Sequence, residues 1–168
     1  ALEACTSLKG KNILILGAGG TAKAIGYGIK EKGGKLTITY NSNKEKGENL
    51  AKELGCEFIH CCDAGTQSID ILINCSPVGM NPNINESPFL ARDFKEGMVV
   101  FDSVYNPLET KLLREAKAAG CKVIPGSELF INQAARQFEL FTGQPVLIDA
   151  RSVNEKIEGF NLARNFSE

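Results

Sequence analysis

A glycine-rich segment near the start of the chain has the composition of a phosphate-binding loop, and it reads Gly17-Ala18-Gly19-Gly20-Thr21-Ala22. Gly17 would allow a tight turn, Gly19 would let the backbone approach a pyrophosphate, and Ala22 is small enough for helix–strand packing. An apolar run precedes the segment and a helical pattern follows it, so free N–H groups at a helix N-terminus would face the phosphates. A glycine-rich turn can serve structure alone, but this context favours a dinucleotide-binding site.

The stretch from Thr37 to Asn43 contains no acid, although NAD sites usually carry one there to bind the ribose hydroxyls. Two lysines, Lys44 and Lys46, follow at once. The missing carboxylate removes repulsion against a 2′-phosphate, and nearby ammonium groups would attract it. The alternative for either lysine is a place on the solvated face of a helix. The pattern favours NADP over NAD.

Six cysteines and a single histidine raise the question of a metal site, since Cys56, His60, Cys61 and Cys62 lie close together in the chain. Their spacing lacks the paired C-x-x-C of structural zinc sites, and adjacent cysteines on a strand would point to opposite faces. We therefore expect reduced thiols, typical of a cytosolic protein, and no bound metal. His60, at the end of a predicted strand, is expected to be a surface or packing residue rather than a catalytic base.

The overall composition is that of an ordinary globular domain, with 43% apolar and 23% charged residues and a net charge of −1. This balance gives no indication of a nucleic-acid or membrane-surface partner. No apolar run approaches the roughly 20 residues of a membrane span. The first eleven residues lack a signal-peptide core. We expect one cytoplasmic domain over residues 1–168, or a plastid location if the parent protein comes from a plant.

The elements that would position these residues alternate along the chain between strands and helices. Continuous apolar runs suit parallel strands that are buried on both faces, and repeated βα units imply right-handed crossovers. The predicted fold is a Rossmann-like, doubly wound α/β sheet with strand order 3-2-1-4-5-6 in three α/β/α layers. A tail over 144–168 has no clean helical pattern and is expected to pack on this domain or on one outside the chain. Strands are predicted at 11–16, 36–40, 57–59, 69–74, 98–102 and 121–124, and helices at 20–32, 44–54, 110–119 and 127–142.

Four ordered blocks make the chain resemble the shikimate dehydrogenase family from about residue 8 to residue 143. The phosphate loop with Lys23-Ala24 is the first, and Asn74-Cys75-Ser76-Pro77-Val78-Gly79-Met80 is the second. The third is Asp102-Ser103-Val104-Tyr105-Asn106-Pro107 with Thr110 and Leu112-Leu113. The fourth runs from Gly126 through Leu129, Gln133-Ala134 and Phe138-Glu139 to Thr142-Gly143. Together, in this order, they are far more specific than any one of them.

The resemblance implies NADP as the cofactor and the reduction of 3-dehydroshikimate to shikimate, a step of aromatic amino-acid biosynthesis. It assigns Tyr105 and Gln133 to substrate hydroxyl or carboxylate groups; the alternatives are a half-buried aromatic residue and an exposed polar one. It also assigns a set of cofactor-binding residues. These are Gly17, Ala18, Gly19, Gly20 and Thr21 for the pyrophosphate; Asn41, Ser42, Asn43 and Lys46 for the 2′-phosphate; Cys75, Ser76 and Pro77 beneath the cofactor; and Ser103, Gly126 and Leu129 at the nicotinamide.

Two departures from the family pattern qualify these assignments. The family usually reads Asn-Arg-Thr where this chain has Asn41-Ser42-Asn43, so the NADP preference is expected to be weaker, or NAD to be tolerated. The family's N-terminal substrate domain, with its catalytic Lys and Asp, has no counterpart here, so we expect no catalytic residue in this chain and no activity from it alone. Three alternatives remain open: a quinate/shikimate dehydrogenase that uses NAD, a bifunctional parent that also carries dehydroquinate dehydratase, and a non-catalytic dinucleotide-sensing domain.

Overall fold

Six parallel strands form the centre of the fold in the computed structural model, which describes residues 2–40 and 42–146. Their order in the sheet is β3-β2-β1-β4-β5-β6, which confirms the predicted order. Each strand begins and ends within two residues of its predicted bounds. The strands are Asn12–Leu16 (β1), Lys35–Thr39 (β2), Glu57–Phe58 (β3), Ile71–Asn74 (β4), Val99–Asp102 (β5) and Lys122–Ile124 (β6).

Helices cover both faces of this sheet, as the predicted three layers require. Five α-helices are described: Leu2–Cys5 (α1), Gly20–Glu31 (α2), Lys44–Leu54 (α3), Lys111–Ala118 (α4) and Gly126–Thr142 (α5). Two short 3₁₀ helices span Cys61–Thr66 and Ala91–Asp93. Within the described ranges, no helix is both long enough and apolar enough to cross a membrane.

The core lies in two layers, one on each side of the sheet. Ile13 and Ile15 of β1 belong to the layer under α2 and α3, and Leu14 and Leu16 belong to the layer under α4. Successive side chains of a strand point to opposite faces, so a central strand buried on both faces is apolar at nearly every position unless its polar groups are hydrogen-bonded. The continuous apolar run of β1 therefore has a simple physical cause.

The strand register brings the loops of the site to one edge of the sheet. Leu16, the last residue of β1, pairs with Thr39 at the end of β2 and with Asn74 at the end of β4. Asn74 in turn pairs with Asp102 at the end of β5. The segments that follow these four strands therefore start side by side at the carboxyl edge, where such sheets bind ligands.

The segment after β3 differs from the prediction. We expected adjacent Cys61 and Cys62 to point to opposite faces of a strand, but β3 ends at Phe58 and both cysteines begin a 3₁₀ helix. The His60 side chain caps that helix, because its ring nitrogen accepts a hydrogen bond from the Cys62 N–H. The prediction that these side chains point to opposite faces was wrong, because the backbone there is helical rather than extended. The α1 helix was not predicted, and most of the predicted tail, 147–168, lies outside the described residues.

Candidate functional site

The start of the glycine-rich loop is held against the ends of two strands. The Gly17 N–H donates a hydrogen bond to the Thr39 carbonyl at 3.0 Å. Gly17 has a φ of +111°, and a Cβ built on it would lie 2.9 Å from the Cys75 carbonyl oxygen and 3.1 Å from the Ser76 nitrogen. A side chain would clash with backbone atoms there and would strain the dihedral angle as well. Only glycine fits this turn.

The other end of the loop opens to free space. Gly19 is the N-cap of α2, and no side chain in the described part of the chain caps that helix. Apart from chain neighbours and the adjoining turn of α2, no described atom lies within 4 Å of a Cβ built on Gly19 or on Gly20. The first N–H groups of a helix have no intrahelical acceptor, and the helix dipole places partial positive charge beside them. The start of α2 could therefore bind an anion, and the space in front of it has room for a phosphate group.

A pocket of about 280 Å³ lies in front of this loop, between the ends of β1, β2 and β4. It brings together most of the residues that the sequence assigned to a cofactor. The predicted residues Gly20, Thr21, Ser103, Gly126 and Leu129 are not part of its described lining, and Asn41 lies outside the described residues. The lining residues are Gly17, Ala18, Gly19, Tyr40, Ser42, Asn43, Lys46, Cys75, Ser76 and Pro77.

The two lysines at the start of α3 have different surroundings. Lys44 forms an ion pair with Glu48, with 3.4 Å between the ammonium nitrogen and the carboxylate oxygen. Lys46 lines the pocket, and within the described ranges no carboxylate pairs with it. Asn43 also lines the pocket, but its side-chain oxygen caps α3 by accepting the Lys46 N–H at 2.9 Å. Lys46 is thus the cation that remains available for an anionic ligand, while Lys44 lies on the solvated face.

Tyr40 is a pocket residue that the sequence reasoning missed. It follows β2 directly, and its ring stacks on Phe58 with a centroid distance of 5.9 Å. The ring also packs edge-on against His60, at 5.2 Å. Partial desolvation raises the pKa of the phenol, and the nearby thiols of Cys61 and Cys62 raise it further, so Tyr40 is neutral at pH 7. The sequence did contain a signal for this residue, because an aromatic side chain at the end of the second predicted strand directly precedes the segment assigned to the 2′-phosphate.

A buried polar network joins the loops that follow β4 and β5. Asp102 is fully buried and accepts hydrogen bonds from the Asn74 amide at 2.9 Å, the Val104 N–H at 3.0 Å and the Thr110 hydroxyl at 2.6 Å. The Asn74 side-chain oxygen accepts from both the backbone N–H and the hydroxyl of Ser76, at 2.9 and 2.7 Å. Two of the three donors to Asp102 are side chains, and the third is the Val104 backbone N–H. The network holds Ser76, a pocket residue, in one orientation.

Burial changes the acidity of two groups in this region. Desolvation raises the pKa of Asp102, and the hydrogen bonds from Thr110, Val104 and Asn74 offset part of that effect. Cys75 packs against the core, and desolvation, with a smaller effect from the Asp102 carboxylate, raises the pKa of its thiol to about 12. Cys75 is therefore a neutral thiol at pH 7 and has no thiolate to act as a nucleophile. Cys75 therefore contributes shape to the site, and Asp102 contributes the hydrogen bonds that join its loops.

The segment after β5 meets the start of α5. A Cβ built on Gly126, the first residue of α5, would lie 2.7 Å from the carbonyl carbon and oxygen of Ser103. The Ser103 N–H donates to the Asn74 carbonyl at 2.9 Å, so the end of β5 is also tied to β4. Leu129, one turn further along α5, packs against the core. Ser103, Gly126 and Leu129 thus form one rigid junction at the carboxyl edge, beside the pocket strands.

The two residues assigned to a substrate lie on the exposed side of this junction. Tyr105 is about half exposed, and its ring stacks on Phe130 with a centroid distance of 5.2 Å. Gln133 is exposed on α5, three residues after Phe130 and so on the same side of the helix. Phe130, which the sequence reasoning did not single out, stacks on Tyr105 and lies about one helical turn before Gln133. The Gln133 amide and the Tyr105 phenol are therefore accessible to a ligand at the surface of the domain.

Two family profiles match the chain. The family described as "Shikimate 5'-dehydrogenase C-terminal domain" matches residues 126–150, and the family described as "NADP oxidoreductase coenzyme F420-dependent" matches residues 12–106. The second match covers the phosphate loop and β1 to β5, which any dinucleotide-binding sheet of this kind contains. The first match begins at the start of α5 and extends to residue 150.

Curated relatives and solved structures agree with the first of these two family matches. The chain is 40% identical over 141 residues to the bifunctional 3-dehydroquinate dehydratase/shikimate dehydrogenase of Arabidopsis thaliana, covering 82% of the chain and 23% of that protein. It is 36% identical over 151 residues to the shikimate dehydrogenase (NADP(+)) of Methanosarcina acetivorans, covering 84% of the chain and 54% of that protein. The crystal structure of a Thermus thermophilus shikimate 5-dehydrogenase with NADP(H) and shikimate superimposes with a TM-score of 0.78 at 32% identity, covering 92% of the chain and 56% of that structure. The chain thus spans about half the length of such single-function relatives.

Proposed function

The chain belongs to the shikimate dehydrogenase family, and we propose that it is the nucleotide-binding domain of an NADP-dependent enzyme that reduces 3-dehydroshikimate to shikimate. This step would serve the biosynthesis of aromatic amino acids. One observation carries the proposal: a single pocket is lined by a phosphate-binding loop, by the acid-free end of β2 and by Lys46. These features meet the pyrophosphate and the 2′-phosphate of one dinucleotide.

The residues of the pocket fit NADP in both charge and space. The N–H groups at the start of α2 would donate to the pyrophosphate, and the space in front of Gly19 would receive it. The Lys46 ammonium would attract the 2′-phosphate, and the Ser42 hydroxyl would donate a hydrogen bond to it. Asn41 is assigned to the same group by its place in the sequence. The absence of an acid between Thr37 and Asn43 favours this cofactor over NAD.

The junction of β5 and α5 would orient the nicotinamide. Bound NADPH would supply the hydride that reduces the substrate carbonyl. We assign Ser103, Gly126 and Leu129 to the nicotinamide end, because their backbone is fixed by close contact and by the network around Asp102. A rigid wall lowers the entropic cost of holding the ring against the substrate. The role of this domain in the reaction is therefore mainly positioning.

The substrate would be held from two sides. Tyr105 and Gln133 would hydrogen-bond its hydroxyl or carboxylate groups, since a phenol and a neutral amide can donate and accept without bringing charge near the transferred hydride. We assign no acid–base residue to this chain. The proton would come from the Lys and Asp of an N-terminal substrate domain, and such a positioned group contributes roughly 10²–10⁴-fold in rate. That domain is the proposed partner.

We place the enzyme in a reducing compartment, the cytoplasm or, in a plant, the plastid. The six cysteines, all within the described residues, are free thiols, and three of them are exposed. Exposed thiols persist where glutathione and thioredoxin keep them reduced.

The oxidation of NADPH in the presence of 3-dehydroshikimate tests the proposal. The assay is run on the 168-residue chain, on the chain extended to include a substrate domain, and on the extended chain with Gly19→Val. Of these three proteins, only the unmodified extended chain is expected to turn over substrate. The 168-residue chain should bind the cofactor without turnover, and Gly19→Val should abolish the turnover of the extended chain. The oxidation of quinate with NAD and of shikimate with NADP is measured in parallel, to determine the substrate and cofactor specificity.

Each result has a distinct meaning. Robust turnover by the 168-residue chain would show that the catalytic residues are misassigned. No turnover from the extended chain, with cofactor still bound, would refute the enzyme and support a dinucleotide-sensing domain. Faster turnover with quinate and NAD than with shikimate and NADP would replace the proposed substrate and cofactor.

A further inference from the structure

Three consecutive residues that follow β3 bring their metal-binding atoms close together. One ring nitrogen of His60 and the sulfur atoms of Cys61 and Cys62 all lie within 4.8 Å of one another. The Cys61 sulfur is 3.8 Å from Nδ1 of His60. In a tetrahedral zinc site, with Zn–S near 2.3 Å and Zn–N near 2.0–2.1 Å, ligand atoms are about 3.6–3.8 Å apart. Small side-chain rotations would therefore bring the three atoms into coordination distance.

The local backbone sets up this convergence. His60 is the N-cap of the 3₁₀ helix Cys61–Thr66, and its Nδ1 accepts the Cys62 N–H at 3.2 Å. This hydrogen bond sets the orientation of the imidazole ring beside the two cysteines, and coordination through Nδ1 would replace it, because that nitrogen has a single lone pair. The Tyr40 ring packs edge-on against the imidazole at 5.2 Å and limits its rotation. The cap and the aromatic contact together preorganise the cluster.

We propose that His60, Cys61 and Cys62 form a binding site for a soft divalent cation of the Zn²⁺ class, with solvent completing the coordination shell. Thiolate and imidazole ligands select such ions over Mg²⁺ and Ca²⁺, which prefer oxygen. All three side chains are exposed, so an ion can reach them and an outer position stays open for water. On binding, the two thiols lose their protons and both sulfur atoms coordinate the ion.

This site is separate from the cofactor pocket. Of the described residues that line that pocket, none belongs to the cluster, although the pocket residue Tyr40 packs against His60. Zinc binding and NADP binding can therefore be measured independently, and the failure of one leaves the other standing.

Metal titration in a thiol-free reducing buffer tests the site. Zn²⁺ is titrated into the chain in competition with a chromophoric chelator, and Co²⁺ is then used because a thiolate–Co²⁺ band reports the sulfur ligands directly. We expect one ion per chain and a charge-transfer band. Cys61→Ser and Cys62→Ser should each lower the affinity by more than the roughly 10–100-fold that the loss of an outer-shell partner costs.

Cys5→Ser is the matched control, because Cys5 is also exposed but lies in α1. It should leave the affinity and the Co²⁺ spectrum unchanged. Circular dichroism of each variant checks the fold, and the ligand side chains are exposed enough that little change is expected. The proposal is refuted if the Cys61→Ser/Cys62→Ser double variant binds Zn²⁺ as tightly as the parent, if Cys5→Ser weakens binding equally, or if no thiolate–Co²⁺ band appears.

Discussion

Two glycines of the phosphate loop should respond to substitution in opposite ways. A side chain on Gly17 would meet the Cys75 carbonyl at 2.9 Å, whereas one on Gly19 would enter the space in front of the pocket, where no described atom lies within 4 Å. Gly17→Ala should therefore damage the fold. Gly19→Val should leave the fold nearly intact and remove cofactor binding, because its side chain would occupy the place of the pyrophosphate.

The magnitudes follow from these contacts. An L-residue at φ +111° carries strain of roughly 1–3 kcal/mol, and overpacking against fixed backbone adds about 1–3 kcal/mol. A loss of about 3 kcal/mol lowers Tm by about 6–12 °C in a chain of this size. Gly19 has a φ of −88°, which valine adopts, so Gly19→Val should cost only about 1 kcal/mol for a poorer N-cap. Loss of two N–H bonds to the pyrophosphate, at about 1.5–3 kcal/mol each, weakens binding at least about 100-fold.

Thermal unfolding and isothermal titration with NADP measure both effects on the same samples. Gly28→Val is the control, because Gly28 lies on α2 and a Cβ there also has no described neighbour within 4 Å. It should change neither Tm nor affinity appreciably. If a folded Gly19→Val protein bound NADP with unchanged affinity, the loop would have no phosphate-binding role. An unchanged Tm in Gly17→Ala would refute the close approach of the loop to β4.

Further variants probe the rest of the site. Ser42→Arg should widen the preference for NADP over NAD by about 1–2 kcal/mol, since a guanidinium adds charge and paired donors; titration with both cofactors checks this, and an unchanged ratio would contradict it. Asp102→Ala leaves three buried donors without an acceptor and should lower the free energy of unfolding by about 3–5 kcal/mol in urea; a loss below about 1 kcal/mol would show that the network is not needed. The Asn12 N–H, and next the Lys11 ammonium, hold the pKa of Asp70 below its ordinary value of 3.8. The ionised Asp70 carboxylate therefore stabilises the fold fully above pH 3.8, and this stabilisation is lost as the pH falls through the lower pKa of the folded state. Asp70→Asn should flatten the acid limb of the curve of unfolding free energy against pH.

Local patterns in the sequence were enough to predict the six strands and the four longer helices, although they missed α1 and the two 3₁₀ helices. The apolar run before Gly17 identified a strand buried on both faces, and the glycine loop that follows it identified the edge where a ligand binds. Strand and helix patterns depend on residues close together in the chain, so they can be read without knowing the partners of each element. The resemblance to a family then located the pocket residues Ser42, Lys46 and Ser76 by motif, and their roles in binding stay predictions.

Tertiary structure decided how side chains from different strands meet. The strand register sets Asn74 beside Asp102, and that pairing creates the buried network that joins two loops. The turn into a 3₁₀ helix brings Cys61 and Cys62 to the same side as His60, where the sequence pattern had separated them. Lys44 forms an ion pair with Glu48 on the surface of α3, whereas Lys46 lines the pocket. Strand register joins residues far apart in the chain, so no spacing in the sequence could specify the pairing of Asn74 with Asp102, whereas the other two outcomes depend on the local helical backbone.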